Sequence, residues 1–189
     1  MAAATLTTTA DPHGMGVIDA RLLASPLEFI AADHLRQRHL CCLLERLAQA
    51  PSLDPGLAST VVYHLTGDMV VHVLDEEEDL FPLLRRRAAP DDGIARVLGL
   101  LASEHREDER LGAIIVAGVR EACAADAPLS DEARAACRSF ARRQRRHLAV
   151  ENALVLPLAG ARLTALDLKG LGRRMAVRRG LDPRTGRPA

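Results

Sequence analysis

The stretch His72-Val73-Leu74-Asp75-Glu76-Glu77-Glu78-Asp79-Leu80-Phe81-Pro82 decides how this chain is read. Its histidine and first glutamate stand four residues apart, one turn of an α-helix, so both side chains leave the same face. The pattern returns as His147-Leu148-Ala149-Val150-Glu151, followed by Asn152-Ala153-Leu154-Val155-Leu156-Pro157. In each copy a proline stands six residues beyond the glutamate, behind two large apolar residues. One His/Glu pair at this spacing is common by chance. Two with matching flanks are not.

Working outward, the 189 residues suffice for one domain with a sizeable core. Apolar residues make up 48%, with no Trp, one Tyr and three Phe, so the core must be aliphatic, which favours close-packed helices. Lys+Arg and Asp+Glu balance at 25 each, a charge pattern that does not suggest a nucleic-acid binder. Cys41, Cys42, Cys123 and Cys137 show no CxxC spacing and read as reduced thiols. The N-terminus lacks signal-peptide features, and the longest apolar run, Leu111 to Val119, is too short to span a bilayer. These features lead us to expect a cytoplasmic protein without a membrane association.

The punctuation predicts four long helices. The first starts at Ser25-Pro26 and carries an inward stripe of Leu27, Ile30, His34, Cys41, Leu44 and Ala48. The second, 57–86, turns Val62, Leu65, Met69, His72, Val73, Glu76 and Leu80 inward. The third, 92–123 with Asp91 or Asp92 as its cap, presents Leu98, Leu101, His105, Gly112 and Ile115. The fourth, 131–156 and capped by Ser130, presents Phe140, Gln144, His147, Leu148, Glu151, Leu154 and Val155. Short loops between them imply an all-α, antiparallel up-down-up-down four-helix bundle. The expected organisation is a flexible lead-in over 1–25, the bundle over 26–160, and a basic C-terminal helix with a tail over 161–189. That last helix opens on a capping box at Thr164-Ala165-Leu166-Asp167 and should pack back on the bundle by Leu168, Leu171 and Met175, its arginines forming a solvated face.

Each long helix carries one inward histidine. His34 to His105 and His72 to His147 are separated by 71 and 75 residues, as an internal duplication would give. Burying His34, His72, Glu76, His105, His147 and Glu151 on apolar faces is costly unless each finds a partner. Four imidazoles and two carboxylates without a thiolate suit iron, or manganese, better than a structural zinc. Six protein ligands are too many for one tetrahedral ion and about right for two octahedral ones. The stoichiometry implies two His per ion, Glu76 and Glu151 bridging, and an oxo or hydroxo bridge.

The order His34, His72-x-x-x-Glu76, His105, His147-x-x-x-Glu151 resembles the hemerythrin-like, or HHE cation-binding, family. Ala32-Asp33-His34, Asp75-Glu76-Glu77, Leu80-Phe81-Pro82 and Glu104-His105 match its surrounding text, over about residues 26–180. The resemblance implies a bundle with a non-haem di-iron site that binds O2, peroxide or nitric oxide, in sensing, iron handling or stress response. The oxygen carriers of the family bring a further histidine one turn along helix three. Glu109 stands there in this chain, either an extra ligand or an exposed acid, the latter being the favoured reading, and the loss of that histidine leans the expectation from oxygen carriage toward redox turnover or sensing. Of the other polar residues, His39 should face away, His64 should sit at a rim, Tyr63 outside, and Asp33 and Glu104 in solvent. Glu77 and Glu78 should point progressively outward and cover the helix surface, with a hydrogen bond between Glu77 and a metal ligand as the alternative.

No residue is assigned a catalytic role, and whether weak peroxide- or NO-directed redox activity accompanies binding is left open. The expected partner is a small diatomic or peroxide ligand. Two other readings stay open: an iron-buffering module without turnover, and a metal-free helical interaction protein.

Overall fold

Pro26 in its first turn starts α1 (Pro26–Gln49), and Asp54, accepting from the N–H groups of Gly56 and Leu57, starts α2 (Pro55–Arg87). Then come α3 (Ile94–Ala125), α4 (131–162) and α5 (Ala165–Arg178). Ser130 Oγ caps α4 by accepting from Ala133 N–H at 3.2 Å, and Thr164 with Asp167 forms the capping box of α5, both as the sequence predicts. The computed structural model describes residues 13–182, and the expectations for 1–12 and for the tail from 183 fall outside them. Among the described residues there is no β-strand.

Asp92 does not cap α3. Its carboxylate accepts from Ala89 N–H at 2.7 Å within a 3-10 turn (Pro90–Asp92) and pairs with Arg162. Gly93, at φ 61°, takes the cap position instead, a left-handed conformation suited to glycine.

The duplicated motif has a backbone signature. α2 widens into a π turn over Asp75–Leu80, and α4, helical over Asp131–Val150, does the same over Glu151–Val155 before resuming at Leu156–Arg162. The carbonyl of Glu76 accepts from Phe81 N–H, five residues on, and that of Glu151 from Leu156 N–H. Pro82 and Pro157 follow immediately. A proline lacks an N–H and its ring collides with the carbonyl four residues back, and the wider turn relieves both problems. The extra residue also shifts the helical phase: Val155 is buried while Leu154, expected inside, is 50% exposed.

Two apolar clusters fill the interior. One gathers Leu44, Val61, Ile115 and Phe140, and the other Ile30, Phe81, Leu98 and Val155. A buried polar layer containing His34, His72, His105 and His147 lies between them in sequence on every long helix. α1 and α3 run from the second cluster through that layer to the first, and α2 and α4 run the other way. Around the interior α1 packs on α4, α4 on α3, α3 on α2, and α2 on α1. α2 is long and apolar enough to cross a membrane by length and composition, yet here its apolar residues serve both clusters.

α5 lies across the second cluster with Leu171 and Met175 fully buried. It approaches so closely that a Cβ on Gly172 would fall 2.1 Å from the Leu23 carbonyl oxygen. Its arginines do not all form a solvated face: Arg173 is exposed, but Arg174, Arg178 and Arg179 pair with acids of α2. Arg178 pairs with buried Asp75 and reaches Asp79 at 2.9 Å, Arg179 reaches Asp75 at 2.6 Å, and Arg174 also pairs with Asp79. The anion this helix meets is the π turn of α2. Before α1, a 3-10 helix (Ala20–Ala24) buries Leu23, and Met15 is buried with its carbonyl accepting from Arg36 Nε.

Candidate metal centre

Each of the four histidines presents Nε2 to the middle of the polar layer. His34 Nε2 lies 3.4 Å from Glu151 Oε2 and 3.8 Å from Glu76 Oε1. His72 and His105 each place Nε2 3.4 Å from Glu76 Oε2, and His147 places Nε2 3.0 Å from Glu151 Oε1. The six residues sort into two groups, His34-His72-Glu76-Glu151 and Glu76-His105-His147-Glu151, each with ligand atoms within 4.8 Å of one another. Both glutamates belong to both groups. The reason is local: the i, i+4 spacing aims each glutamate along its own histidine, and burial between four helices leaves it facing the others.

These groups are poorly satisfied by the protein alone. His34 Nε2, His72 Nε2 and both carboxylate oxygens of Glu76 and of Glu151 are buried without a hydrogen-bond partner. Buried polar atoms are otherwise nearly always paired, so this concentration of lone pairs fits a cation. The absence of thiolate and the nitrogen-oxygen donor set agree with that fit.

The outer nitrogens are all held. Nδ1 of His34 donates to Asn152 Oδ1 at 2.9 Å, and that of His105 to Glu77 Oε1 at 2.8 Å. Nδ1 of His72 meets Asp33 Oδ2 at 3.1 Å, and that of His147 meets Glu104 Oε2 at 3.0 Å. A proton fixed on Nδ1 leaves the Nε2 lone pair free for a metal. The duplication governs these partners too. Asp33 and Glu104 each precede a ligand-position histidine, while Glu77 and Asn152 each follow an inward glutamate.

Asp33 and Glu104 are therefore not the solvated acids the sequence suggested. Asp33 is buried and also accepts from Gln37 Nε2 at 3.2 Å, and Gln37 Oε1 in turn accepts from Gln144 at 2.6 Å. Sequence reasoning missed Asp33, Glu104, Asn152 and Gln37. The signal that could have found the first three is their fixed offset of one residue from a ligand position.

Burial works against charge on His72, yet the carboxylates of Glu76 and Asp33 hold its imidazole well above the ordinary value. His147 is likewise opposed by burial and lifted to about 9 by Glu151, Glu76 and Glu104. Burial alone would raise Glu76, but His72, His105 and His34 around it hold it well below the usual carboxylate range.

The remaining polar residues lie elsewhere. His39 is half-buried, with Nε2 2.6 Å from the His13 carbonyl oxygen, and Glu109 is exposed as read. His64, expected at a rim, is buried and pairs with Asp68 at 2.6 Å. Tyr63 is exposed.

With this geometry in place, comparison with known families matches residues 25–159 to the hemerythrin HHE cation binding domain. The chain belongs to the hemerythrin HHE cation-binding family. Among curated proteins none matches it significantly. The family match spans all four long helices up to α4's last turn, so this HHE domain contains every one of the six inward residues, and α5 lies outside it.

Proposed function

We propose that this HHE domain is a non-haem di-iron protein that binds or reacts with O2, peroxide or nitric oxide in a sensing or stress-related redox role. The observation that carries the reading is the pair of four-residue groups sharing Glu76 and Glu151, with the oxygens of both carboxylates buried and without a hydrogen-bond partner. Two ions would each take two imidazoles, His34 with His72 and His105 with His147, and both carboxylates would reach both ions. Manganese is the alternative metal. Bound iron would supply an electron-exchanging Lewis acid. The protein's own part is to fix the imidazoles through Nδ1 and to keep bulk water from the layer. The frame we propose is the antiparallel up-down-up-down bundle, supported by the alternating order in which successive helices visit the two clusters. Free cysteines support a cytoplasmic location.

Metal analysis after anaerobic iron loading tests the proposal. About two irons per chain are expected, with Glu76→Ala and Glu151→Ala losing metal while keeping helical content. A chain that takes up none under these conditions would be left as a helical interaction protein. An iron-holding module without turnover is favoured by the nearly complete burial of Glu76 and Glu151, and consumption of added peroxide separates it from the redox reading.

A further inference from the structure

A cleft of about 580 Å³ runs between α2 and α3, from Glu77 and His105 at one end to Leu65 and Arg120 at the other. Fifteen residues of helix separate His105 from Arg120, so its length is on the order of 20 Å. Leu65, Met69, Val73, Val116 and Phe140 give it apolar walls. The volume is that of an organic ligand site and far exceeds the needs of a diatomic gas.

Two features mark this cleft as more than loose packing. Gly112 sits in the interior of α3, and a Cβ there would meet nothing within 4 Å, so the missing side chain opens onto the cleft. Glycine at such a position costs a helix roughly 1 kcal/mol relative to alanine. The second is Asp108, which lines the cleft and is 4% exposed. Its Oδ1 accepts from Arg143 Nε at 3.0 Å, while Oδ2 is buried with no donor. A buried carboxylate oxygen without a partner calls for a hydrogen-bond donor.

The charges nearby select the head group. Arg143 already balances Asp108, and His105 holds Glu77 at 2.8 Å. An anionic head placed at Asp108 would face Asp108, Glu77 and Glu109 together, against the single exposed guanidinium of Arg106 on that part of the lining, and a cation would gain no unbalanced buried partner at Asp108. We propose that this cleft binds a neutral organic molecule with an extended apolar body and a terminal O–H group, the O–H donating to Asp108 Oδ2 beside His105. Alcohols and organic hydroperoxides share that head. The inference does not depend on iron being bound, so it can stand or fall apart from the di-iron reading.

Calorimetric titration of the full, metal-free chain with 1-octanol and with 1-octyl hydroperoxide provides the test, with metal content followed separately. Saturable binding of either is expected; the tighter of the two identifies the head as alcohol or hydroperoxide. 1-Methoxyoctane, which lacks the donor, should bind at least tenfold more weakly. Gly112→Leu should weaken binding at least tenfold by filling the cleft, and Ala113→Phe, at an exposed position on the same lining, serves if the first variant does not fold. No saturation with either O–H compound, equal binding of 1-methoxyoctane, tighter binding of octanoate or octylammonium, or affinity unchanged in a folded cleft-filling variant would each overturn the proposal.

Discussion

Glu77 and Asn152 hold equivalent places in the two halves of the chain. Each stands one residue beyond an inward glutamate, and each accepts the Nδ1 proton of a histidine on another helix, His105 at 2.8 Å and His34 at 2.9 Å. One is an acid and the other an amide. The His105-His147 pair thus has two carboxylate acceptors, Glu77 and Glu104, whereas the His34-His72 pair has one, Asp33.

A carboxylate behind an imidazole makes its other nitrogen a better donor to metal. In the proposed two-ion centre, the ion at His105 and His147 is therefore expected to be held more tightly than its neighbour. Iron release to a chelator should proceed in two phases. Glu77→Gln should weaken the tighter site by roughly 10- to 100-fold, and Asn152→Asp should bring the two phases together. A single phase that neither substitution moves would count against the asymmetry.

The raised imidazoles set a pH window. An unfolded histidine titrates near 6.5. His147 is lifted to about 9 in the folded, metal-free chain, and His72 moves the same way. Their contribution to stability is full below about pH 6.5 and is lost as pH rises toward about 9. Metal needs the neutral ring, so loading displaces protons and strengthens across the same range. Thermal melts should show the metal-free chain losing stability between those limits and the iron-loaded chain holding it.

Removing one arginine of α5 should expose how much the π turn of α2 depends on that helix. Asp75 and Asp79 are buried, and Arg178 serves both. Arg178→Ala is expected to cost about 2 kcal/mol in urea unfolding, less than breaking an isolated buried pair because Arg179 still reaches Asp75. Arg173→Ala, at an exposed position on the same helix, should cost far less. Equal effects would argue against the clamp.

Burial in the first apolar cluster pushes the thiols of Cys41 and Cys137 up to about 12. Cys42 and Cys123 are exposed. At pH 8 a thiol reagent should therefore modify Cys42 and Cys123 quickly in the native chain, and Cys41 and Cys137 only after unfolding. Mass spectrometry of the labelled peptides checks the assignment.

The sequence by itself determined the helices, their caps at Ser130 and Thr164, and the six inward polar residues. These follow from periodicity and from a motif repeated with its flanks, which are properties of one helix at a time. It misplaced Asp33 and Glu104, which sit beside ligand-position histidines on their own helices and turn toward solvent on any single-helix projection. It also read the arginines of α5 as solvated. Only the tertiary structure decided these points, because a side chain about 100° from the inward stripe is exposed or buried according to which helix lies against that flank. The π turns at Glu76 and Glu151 belong between the two cases. Their prolines are visible in the sequence, but the resulting shift of phase, which buries Val155 and exposes Leu154, depends on how the backbone relieves the clash within a packed bundle.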